Sequence, residues 1–552
     1  MAQRSGKNAG PAIRAAAVCV SRRNNQSCCP PCSAPGIGTH PEHKPAMPDA
    51  PAFGRGSRVN FANLARFCCC CMKLFRLFFG LSLALLLTTC ARKPRPTKLE
   101  IFDVVINHVT LIDVRTGRLT PNQVVAIAKG KIVEVQVADK NSYAAKQYVN
   151  GNGRYLMPGL WDMHVHFRGG DSLAAANKKS LTLYLAHGIT TVRDAGGDLT
   201  PRIFEWRREM EAGRLAGPRI FTSGPKIDGP GATWPGSLEV ETPAQIRHAL
   251  DSLQKLKVDY VKIYDSKISG RAYLETIWLA QRRGLKTTGH MPYTVTLAEA
   301  IGRGLDATEH LYYVLKACSS KEDSLTALVR ASQGTARPLG LFAMLPAVNA
   351  TYSSVAAARI FALMAKQHTA AVPTLFIGQT LAGLPTNDHA HDSLLAYIDP
   401  KIQATYQRRM VSARQQSAAA QALSHQLENR FSSMIAPMQA AGVRLLAGSD
   451  SGPFNSFVYP GASLQEELIL LVQAGLTPLQ ALQTATINGA EFMGVADHTA
   501  AIAPGKDADL LLLTANPLEN IANVKSVDTV ISRGKAYPVA SLRNLLRAVR
   551  NK

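Results

Sequence analysis

Hydrophobic and polar positions alternate in two stretches near the ends of the chain. Residues 99–150 form short apolar or alternating runs, such as IFDVVINHVTLID and QVVAIAKGKIVEVQV, separated by Gly and Asn turns. This is the pattern of β-strands. Strand patterns return after the central region in ADLLLLT and VDTVISRGKAYP. We therefore predict one small β-sandwich built from both ends of the chain, with residues 99–157 as its N-terminal part and 486–540 as its C-terminal part.

From about residue 158, apolar strand segments alternate with helical segments. The candidate strands are LWDMHVH, GITTVRDAG, RIFTSGP, DYVKIYD, KTTGH, DATEH, AAVPTLF and VRLLAGSD. Eight β–α units in one domain predict an α/β fold, a (β/α)8 (TIM) barrel over residues 158–485. A polar, Ala- and Gln-rich stretch at about 377–442 is much longer than an ordinary connection. It predicts inserted helices, a candidate lid over the barrel mouth.

Composition and charge narrow the classes of partner. The chain has 552 residues, 46% hydrophobic and 18% charged, which is ordinary for a globular protein. Its formal net charge is +23, but the basic residues are scattered and form no stripe interleaved with aromatics. We therefore expect a solvated basic surface and no nucleic-acid partner. Nine of the ten cysteines lie at or before residue 90, so the main body does not use a disulfide framework.

A targeting signal is predicted around Met72. In MKLFRLFFGLSLALLLTTCARKP, Lys73 and Arg76 precede an apolar run at residues 77–89. This pattern is typical of a secretory signal and too short to span a bilayer comfortably. Because such a signal works at a chain terminus, we predict that Met72 is the true start. Residues 1–71 would then be a mis-called or disordered extension, and residues 72–90 a signal peptide.

The end of this signal predicts a cell-envelope location. The segment LTTC resembles a bacterial lipoprotein signal, in which the cysteine, here Cys90, becomes the lipid-bearing first residue. Cleavage after Ala91 is the alternative, since Thr89 and Ala91 satisfy the small-x-small rule. Either route predicts a periplasmic protein, and the first adds membrane attachment through a lipid anchor.

The strand segment LMPGLWDMHVHF ends in two histidines one residue apart. On a strand, Asp162, His164 and His166 share one face and point into the barrel, while Trp161 and Met163 share the other. The two histidines sit at the strand's C-terminal end, where barrel enzymes build their active sites. Asp162 is a candidate for orienting a histidine.

Other polar residues end neighbouring strands. Lys262 lies within DYVKIYD, His290 ends the fifth strand, His310 the sixth and Asp450 the eighth. A lone strand-end histidine is usually just hydrogen-bonded, and a lone lysine usually reaches water. Joint placement at successive strands favours a site instead. Imidazoles with a carboxylate suit a divalent metal, and Zn²⁺ is the first expectation.

Three further histidines serve as contrasts. His389 and His391 have the same spacing as the opening pair, but no apolar strand precedes them, so we assign them to the surface of the insertion. His187 precedes a glycine near a predicted helix end and is assigned to C-terminal capping.

Several motifs together resemble the amidohydrolase superfamily, more narrowly its imidazolonepropionase-like and prolidase-like metal-dependent hydrolases. They are MPGLWDMHVHF, TTVRDAGG, VKIY, GHMP, TEHL, GSDSGP and IAPGKDADLLLLTANPL, and they cover roughly residues 99–540. The resemblance implies six metal ligands: His164, His166 and Asp450 at a first metal, His290 and His310 at a second, and Lys262, carboxylated to N6-carboxylysine, as a bridge. Some members manage with one metal and no bridging lysine, so one or two metals per chain are implied.

These roles agree with physical chemistry. A lysine amine must be neutral to react with CO₂, and burial beside cations depresses its pKa. Metal-bound water ionises near neutral pH and attacks a carbonyl that the metal polarises. Asp450 would accept the water's proton and pass it to the leaving nitrogen. The predicted function is therefore hydrolysis of amide bonds in small molecules or short peptides, namely dipeptides or N-acyl amino acids, by a metal-activated hydroxide.

Two other functions stay open. One is a deaminase or cyclic-amide hydrolase of the same superfamily, although the deaminase pattern has a glutamate where this chain has Tyr293. The other is a non-catalytic envelope lipoprotein with a structural metal, although such a site needs about four closed ligands. Arg193, Tyr264 and Tyr293 lie near strand ends and are candidates for holding a substrate carboxylate, with packing as the alternative role.

Overall fold

Residues 101–138 and 143–551 are described by the computed structural model. The predicted extension at 1–71, the signal at 72–90 and the lipidation of Cys90 lie outside these residues. Within the described part of the chain, no helix combines the length and apolarity needed to cross a bilayer.

Strands from both ends of the chain pair in one mixed sheet, whereas the sequence pattern predicted a β-sandwich. Its strands are β1 (Phe102–Ile112), β2 (Leu119–Ala128), β3 (Lys131–Val137), β4 (Ala145–Asn150), β5 (Tyr155–Pro158), β15 (Leu510–Leu513), β16 (Val527–Ser532) and β17 (Lys535–Pro538). The order is β17-β16-β15-β5-β1-β2-β3, and β4 pairs with β1. Val104 and Ile106 of β1 share a buried core with Leu510 and Leu512 of β15. Hydrogen bonds therefore join the two ends in one sheet that encloses a core of its own.

Between these ends lie short parallel strands. They are β6 (Leu160–Val165), β7 (Ile189–Asp194), β8 (Arg219–Thr222), β9 (Ile227–Asp228), β10 (Leu238–Glu239), β11 (Val261–Ile263), β12 (Thr287–Gly289), β13 (Ala307–Glu309) and β14 (Ala370–Val372). They pair as two parallel sheets, β6-β7-β8 and β10-β9-β11-β12-β13-β14.

The two parallel sheets are linked through the predicted eighth strand. Parallel bridges join Ala371 to Leu445 and Val165 to Ser451, so the segment at 443–451 runs between β14 and β6. On the other side, the amide of Asp259 donates to the carbonyl of Thr222 at 2.9 Å, which ties β8 to the start of β11. Strand order and linkage are those of the predicted (β/α)8 barrel.

Helices separate these strands and extend beyond them. They are α1 (Ala174–Ala186), α2 (Thr200–Glu211), α3 (Pro243–Leu256), α4 (Gly270–Gln281), α5 (Leu297–Gly302), α6 (Tyr312–Ala317), α7 (Glu322–Ser332), α8 (Leu341–Ala350), α9 (Ser354–Lys366), α10 (Leu375–Gly383), α11 (Pro400–Arg414), α12 (Ala418–Ala440), α13 (Ala462–Gln473), α14 (Pro478–Thr484), α15 (Ile487–Met493) and α16 (Val539–Val549). The side chain of Thr296 caps α5, and that of Thr477 caps α14. His187 ends α1 with its Nδ1 2.8 Å from the Leu183 carbonyl, as the capping assignment expects.

Two long excursions leave the barrel on the side where its strands end. The predicted insertion contains most of α10 and all of α11 and α12. A second excursion, which the hydrophobic pattern did not separate from an ordinary unit, contains α6 to α9 between β13 and β14. Both place residues on the wall of the large cavity described below.

Candidate metal centre

The two histidines of β6 meet the aspartate of the eighth strand segment. His164 Nε2 lies 3.2 Å from His166 Nε2, and Asp450 Oδ1 lies 3.5 Å and 3.2 Å from these two nitrogens. The Asp450 amide donates to the His164 carbonyl at 2.8 Å, which fixes the two segments side by side. A Cβ on Gly448 would lie 2.7 Å from His164 Cβ, so only glycine allows this close approach.

His310 joins the same cluster by leaving the strand geometry. Its φ is 63° and that of Asp450 is 56°, both in the left-handed region that non-glycine residues seldom adopt. His310 Nε2 lies 3.8 Å from Asp450 Oδ2. One ligand atom from each of His164, His310 and Asp450 falls within 4.8 Å of the others, so the three could hold one metal ion.

His290 and Lys262 complete the set that the sequence predicted. The ring of His290 lies 4.9 Å from that of His310, and its Nδ1 is 3.3 Å from Asp265 Oδ1. Lys262 Nζ is buried without a hydrogen-bond partner, 3.8 Å from Glu309 Oε1. Burial lowers the pKa of Lys262 to about 8. Of the six predicted ligands, His166, His290, His310 and Asp450 line the cavity, whereas His164 and Lys262 are fully buried next to Glu309.

Glu309 connects the histidines to two buried cations. Its Oε2 lies 2.6 Å from His164 Nδ1, and its Oε1 accepts from Arg193 Nη2 at 2.7 Å. Burial alone would raise the pKa of this carboxyl, but the charges of Arg193 and Lys262 hold it well below its usual value. The ionised carboxylate therefore accepts the Nδ1 proton of His164.

Hydrogen bonds at Nδ1 fix the tautomer of three histidines. His166 Nδ1 faces the Gly196 carbonyl at 3.1 Å, which can only accept. His310 Nδ1 faces Thr374 Oγ1 at 2.7 Å, and that hydroxyl already donates to the Pro373 carbonyl. Each ring therefore carries its proton on Nδ1 and presents a lone pair at Nε2. Burial also lowers the pKa of His164 and His166 well below the usual value, and lowers that of His310.

The candidate ligand atoms of these residues are therefore all acceptors that face one another. Three Nε2 lone pairs converge on the Asp450 carboxylate, an arrangement that is repulsive without a cation between them. Neutral imidazole and ionised carboxylate are the forms that bind divalent metals. The donor set therefore fits a metal centre on the chemistry of its own atoms.

Asp162 does not contact an imidazole ring. Its Oδ1 accepts from the Ser449 amide at 2.9 Å and the His164 amide at 3.3 Å, and Ser449 Oγ donates to its Oδ2 at 2.5 Å. Burial raises its pKa to about 7. Asp162 thus holds the backbones of the two ligand-bearing segments, and Glu309 is the carboxylate that orients a ring.

The residues suggested for substrate binding are placed differently from one another. Arg193 is fully buried, donates its Nε to the Met163 carbonyl at 2.6 Å and does not line the cavity. Its position beneath the histidines, paired with Glu309, is that of a supporting residue. Tyr264 and Tyr293 both line the cavity, and the Tyr293 hydroxyl donates to the Tyr312 carbonyl at 3.2 Å. His389, which the sequence pattern assigned to the surface of the insertion and not to the site, pairs with Asp392 at 2.9 Å.

A cavity of about 1,210 Å³ opens onto the metal cluster, the group of candidate ligands formed by His164, His166, His290, His310 and Asp450. Sequence reasoning missed four of the charged residues on its wall or floor, namely Arg168, Asp265, Arg409 and Glu428, and also missed Glu309 beneath it. Two of these had a local signal: Asp265 ends DYVKIYD, and Glu309 immediately precedes His310. Arg409 and Glu428 lie on insertion helices, whose docking the hydrophobic pattern does not indicate.

The histidines and carboxylates meet where the parallel strands of the α/β barrel end. This arrangement is that of barrel proteins with a divalent-metal centre. Residues 155–537 match the sequence profile of the Amidohydrolase family, and the chain belongs to that family.

The chain is similar to one curated relative over a short segment and to solved structures over most of its length. An adenine deaminase of Ruegeria pomeroyi is 34% identical over 94 residues, 17% of this chain and 15% of the relative's length. The chain thus matches less than a fifth of that curated relative. The crystal structure of a Xaa-Pro dipeptidase with bound methionine in the active site is 20% identical with a TM-score of 0.59, covering 79% of this chain and 99% of the other. A bottromycin amidohydrolase is 22% identical with a TM-score of 0.64, covering 81% and 91%.

Proposed function

We propose that the protein is a metal-dependent hydrolase of amide C–N bonds that acts on short peptides or N-acyl amino acids. The observation that carries the proposal is the acceptor-only cluster at the cavity floor, in which three histidine Nε2 atoms face the Asp450 carboxylate. Family membership and the fold of the peptidase neighbour support the same class of reaction.

The residues present fit one or two divalent ions, for which Zn²⁺ is our choice. His164, His166 and Asp450 would hold the first, and His290 and His310 the second. Lys262 fits a bridging role because its amine is buried, makes no hydrogen bond and is partly neutral near pH 8, and the neutral amine is the form that CO₂ carboxylates. A metal held there supplies an activated water and polarises the substrate carbonyl.

Asp450 is the residue positioned to move the proton. Asn455 Nδ2 donates to its Oδ1 at 2.7 Å and fixes the orientation of the carboxylate. Oδ2, on the His310 side, can then take a proton from the attacking water and deliver it to the nitrogen of the breaking C–N bond. Water adds to the carbonyl carbon, and the products are a carboxylic acid and an amine.

Two arginines beside Asp450 favour substrates with a free carboxylate. Arg168 Nη2 donates to Asn455 Oδ1 at 3.0 Å, whereas its Nε is buried without a partner. The guanidinium stacks over Trp234 at 4.3 Å, which fixes its plane. Arg409 of α11 reaches the same wall and donates to the Phe454 carbonyl at 3.2 Å. A carboxylate is the group that this pair would bind, and both dipeptides and N-acyl amino acids carry one.

A deaminase is the second candidate, favoured by the short match to an adenine deaminase. The residue three positions after His290 argues against it. This residue is Tyr293, whose hydroxyl is bound to the Tyr312 carbonyl, so no carboxylate is available there for proton transfer.

A direct assay separates the candidates. Purified protein is stripped with a chelator, reloaded with Zn²⁺ and assayed on dipeptides, N-acyl amino acids and adenine. We expect metal-dependent release of amino acids and no deamination. Ammonia release from adenine without amide hydrolysis would support the deaminase, and a stripped protein that unfolds while the loaded form is inactive would support a structural metal.

We also propose that the protein works in the cell envelope, attached by a lipid on Cys90. The support is the sequence from Met72 to Cys90 alone. Radiolabelled fatty acid should be incorporated into the wild-type protein in a bacterial host and not into Cys90→Ser; equal labelling of both would exclude this anchor.

A further inference from the structure

Helix α12 of the insertion contributes one carboxyl group to the cavity wall. Glu428 is nine-tenths buried, with 9% of its surface exposed, and it lines the cavity that contains the metal cluster. No residue of the described chain forms a hydrogen bond or an ion pair with its carboxyl group. A largely buried glutamate whose carboxyl group has no protein partner is costly to keep, so its retention on the cavity wall points to a ligand.

Helix α10 makes room for this carboxyl. A Cβ on Gly378 would lie 2.2 Å from Glu428 Oε2, so the carboxyl packs directly against the glycine backbone. Gly378 also lines the cavity. Gly378 lies one helical turn after Thr374, whose hydroxyl contacts His310. Glu428 therefore reaches the cavity close to the metal cluster.

Within the described part of the chain, the charged group that acts on Glu428 is a second carboxyl group, that of Glu467, and no cation offsets it. Burial and the neighbouring Glu467 raise the pKa of Glu428 to about 8. Glu467 accepts from the amides of Leu375 and Phe376 at 3.0 Å and 2.7 Å, so it is engaged at the start of α10. A cationic ligand group would supply the charge that this corner lacks.

Charges are arranged in order along the cavity. Arg168 contacts Asn455, and Asn455 contacts Asp450. From Asp450 the contacts continue through His310 to Tyr312, whose ring packs on Phe431 of α12 at 5.1 Å. Along this series of contacts, the metal-ligand candidates Asp450 and His310 lie between Arg168 and the helix that carries Glu428.

We infer that Glu428 binds the protonated amino group of the substrate, so that the enzyme prefers unblocked dipeptides to N-acylated substrates. The inference rests on the proposed hydrolase function and makes it more specific. A zwitterionic dipeptide would place its carboxylate at Arg168 and Arg409, its amide over the metal cluster and its ammonium at Glu428. A charge-assisted hydrogen bond would then form in a largely water-free corner.

The test compares matched substrates. Values of kcat/KM are measured with the Zn²⁺-loaded protein for a panel of unblocked L,L-dipeptides and for the same dipeptides N-acetylated. Glu428→Gln keeps the shape and removes the charge. Glu466→Gln is the matched control, because this exposed glutamate on the neighbouring helix α13 only pairs with Lys525 on the surface.

We expect wild type to prefer the unblocked form by at least about tenfold. Glu428→Gln should reduce this ratio by about tenfold or more, mainly through a higher KM for unblocked peptides, and Glu466→Gln should keep it. Equal rates on both forms by wild type, or an unchanged ratio in Glu428→Gln, would overturn the inference and leave the hydrolase function standing. Failure of wild type to hydrolyse either form would overturn both. The wild-type preference is measured whether or not the variant folds.

Discussion

Replacing Glu309 by glutamine tests the buried support of the metal centre. Glu309 is fully buried and contacts His164 Nδ1 at 2.6 Å, Arg193 Nη2 at 2.7 Å and Lys262 Nζ at 3.8 Å. The substitution leaves two buried cations without their carboxylate. Removing one partner of a buried ion pair typically costs about 3–5 kcal/mol. We expect Glu309→Gln to lower the free energy of unfolding of the metal-free protein by about this amount.

The same substitution should weaken metal binding for a separate reason. A glutamine Nε2 placed at the position of Oε2 would face the Nδ1 proton of His164, two donors in contact. His164 would have to move its proton to Nε2, which removes the lone pair that a metal needs. Loss of such an orienting partner typically costs about 10–100-fold in metal affinity.

Urea denaturation of the stripped protein and chelator competition of the loaded protein measure the two effects. Glu466→Gln, which breaks an exposed ion pair with Lys525, should cost at most about 1 kcal/mol and leave metal affinity unchanged. The reasoning would be refuted if Glu309→Gln behaved like this control in both assays.

Three further substitutions probe the cavity and its charges. Gly378→Ala would place a methyl group 2.2 Å from Glu428 Oε2. We expect the free energy of unfolding to fall by about 1–3 kcal/mol in calorimetry, and KM for unblocked dipeptides to rise. No change in either measurement would contradict the placement of Glu428 against Gly378. Arg409→Ala should raise KM about tenfold for dipeptides with a free carboxylate and less for their C-terminal amides, so equal effects on the two would exclude its carboxylate role. Burial lowers the pKa of Lys226 to about 7. Burying its charged amine therefore destabilises the folded protein fully below pH 7, and this destabilisation fades as the pH rises toward about 10.4, the pKa of lysine in the unfolded chain. Lys226→Met should therefore be more stable than wild type, by on the order of 4 kcal/mol at pH 6–7 and by much less at pH 10 in urea denaturation. A gain in stability that did not shrink with rising pH would refute the assignment.

Much of the barrel could be predicted because its strands end in polar residues at regular places. In parallel strands the carboxyl ends meet at one mouth, so His166, Lys262, His290 and Asp450 could be assigned to one site from their positions alone. Likewise, alternating strands at the two ends of the chain predicted a shared β domain, and the pairing of Leu511 with Met157 joins them.

Other parts of the site depend on geometry that a linear pattern does not contain. Alternation places His310 and Glu309 on opposite faces, and only the left-handed φ of His310 brings both to the metal cluster. The polar residues of α11 and α12 are typical of a solvated face, so Arg409 and Glu428 gave no signal until these helices were docked over the mouth. The helices α6 to α9 were missed because a helical pattern does not show how many helices it contains.

The proposed metal centre is best tested by measuring metal content per chain together with dipeptide hydrolysis, for wild type and for Lys262→Ala. We expect two Zn²⁺ per wild-type chain, falling to one or none in Lys262→Ala. Hydrolysis should be lost from the chelator-treated protein and restored by Zn²⁺. One metal per chain in both proteins would remove Lys262 from the site. Hydrolysis that persists in fully metal-free protein would contradict the account.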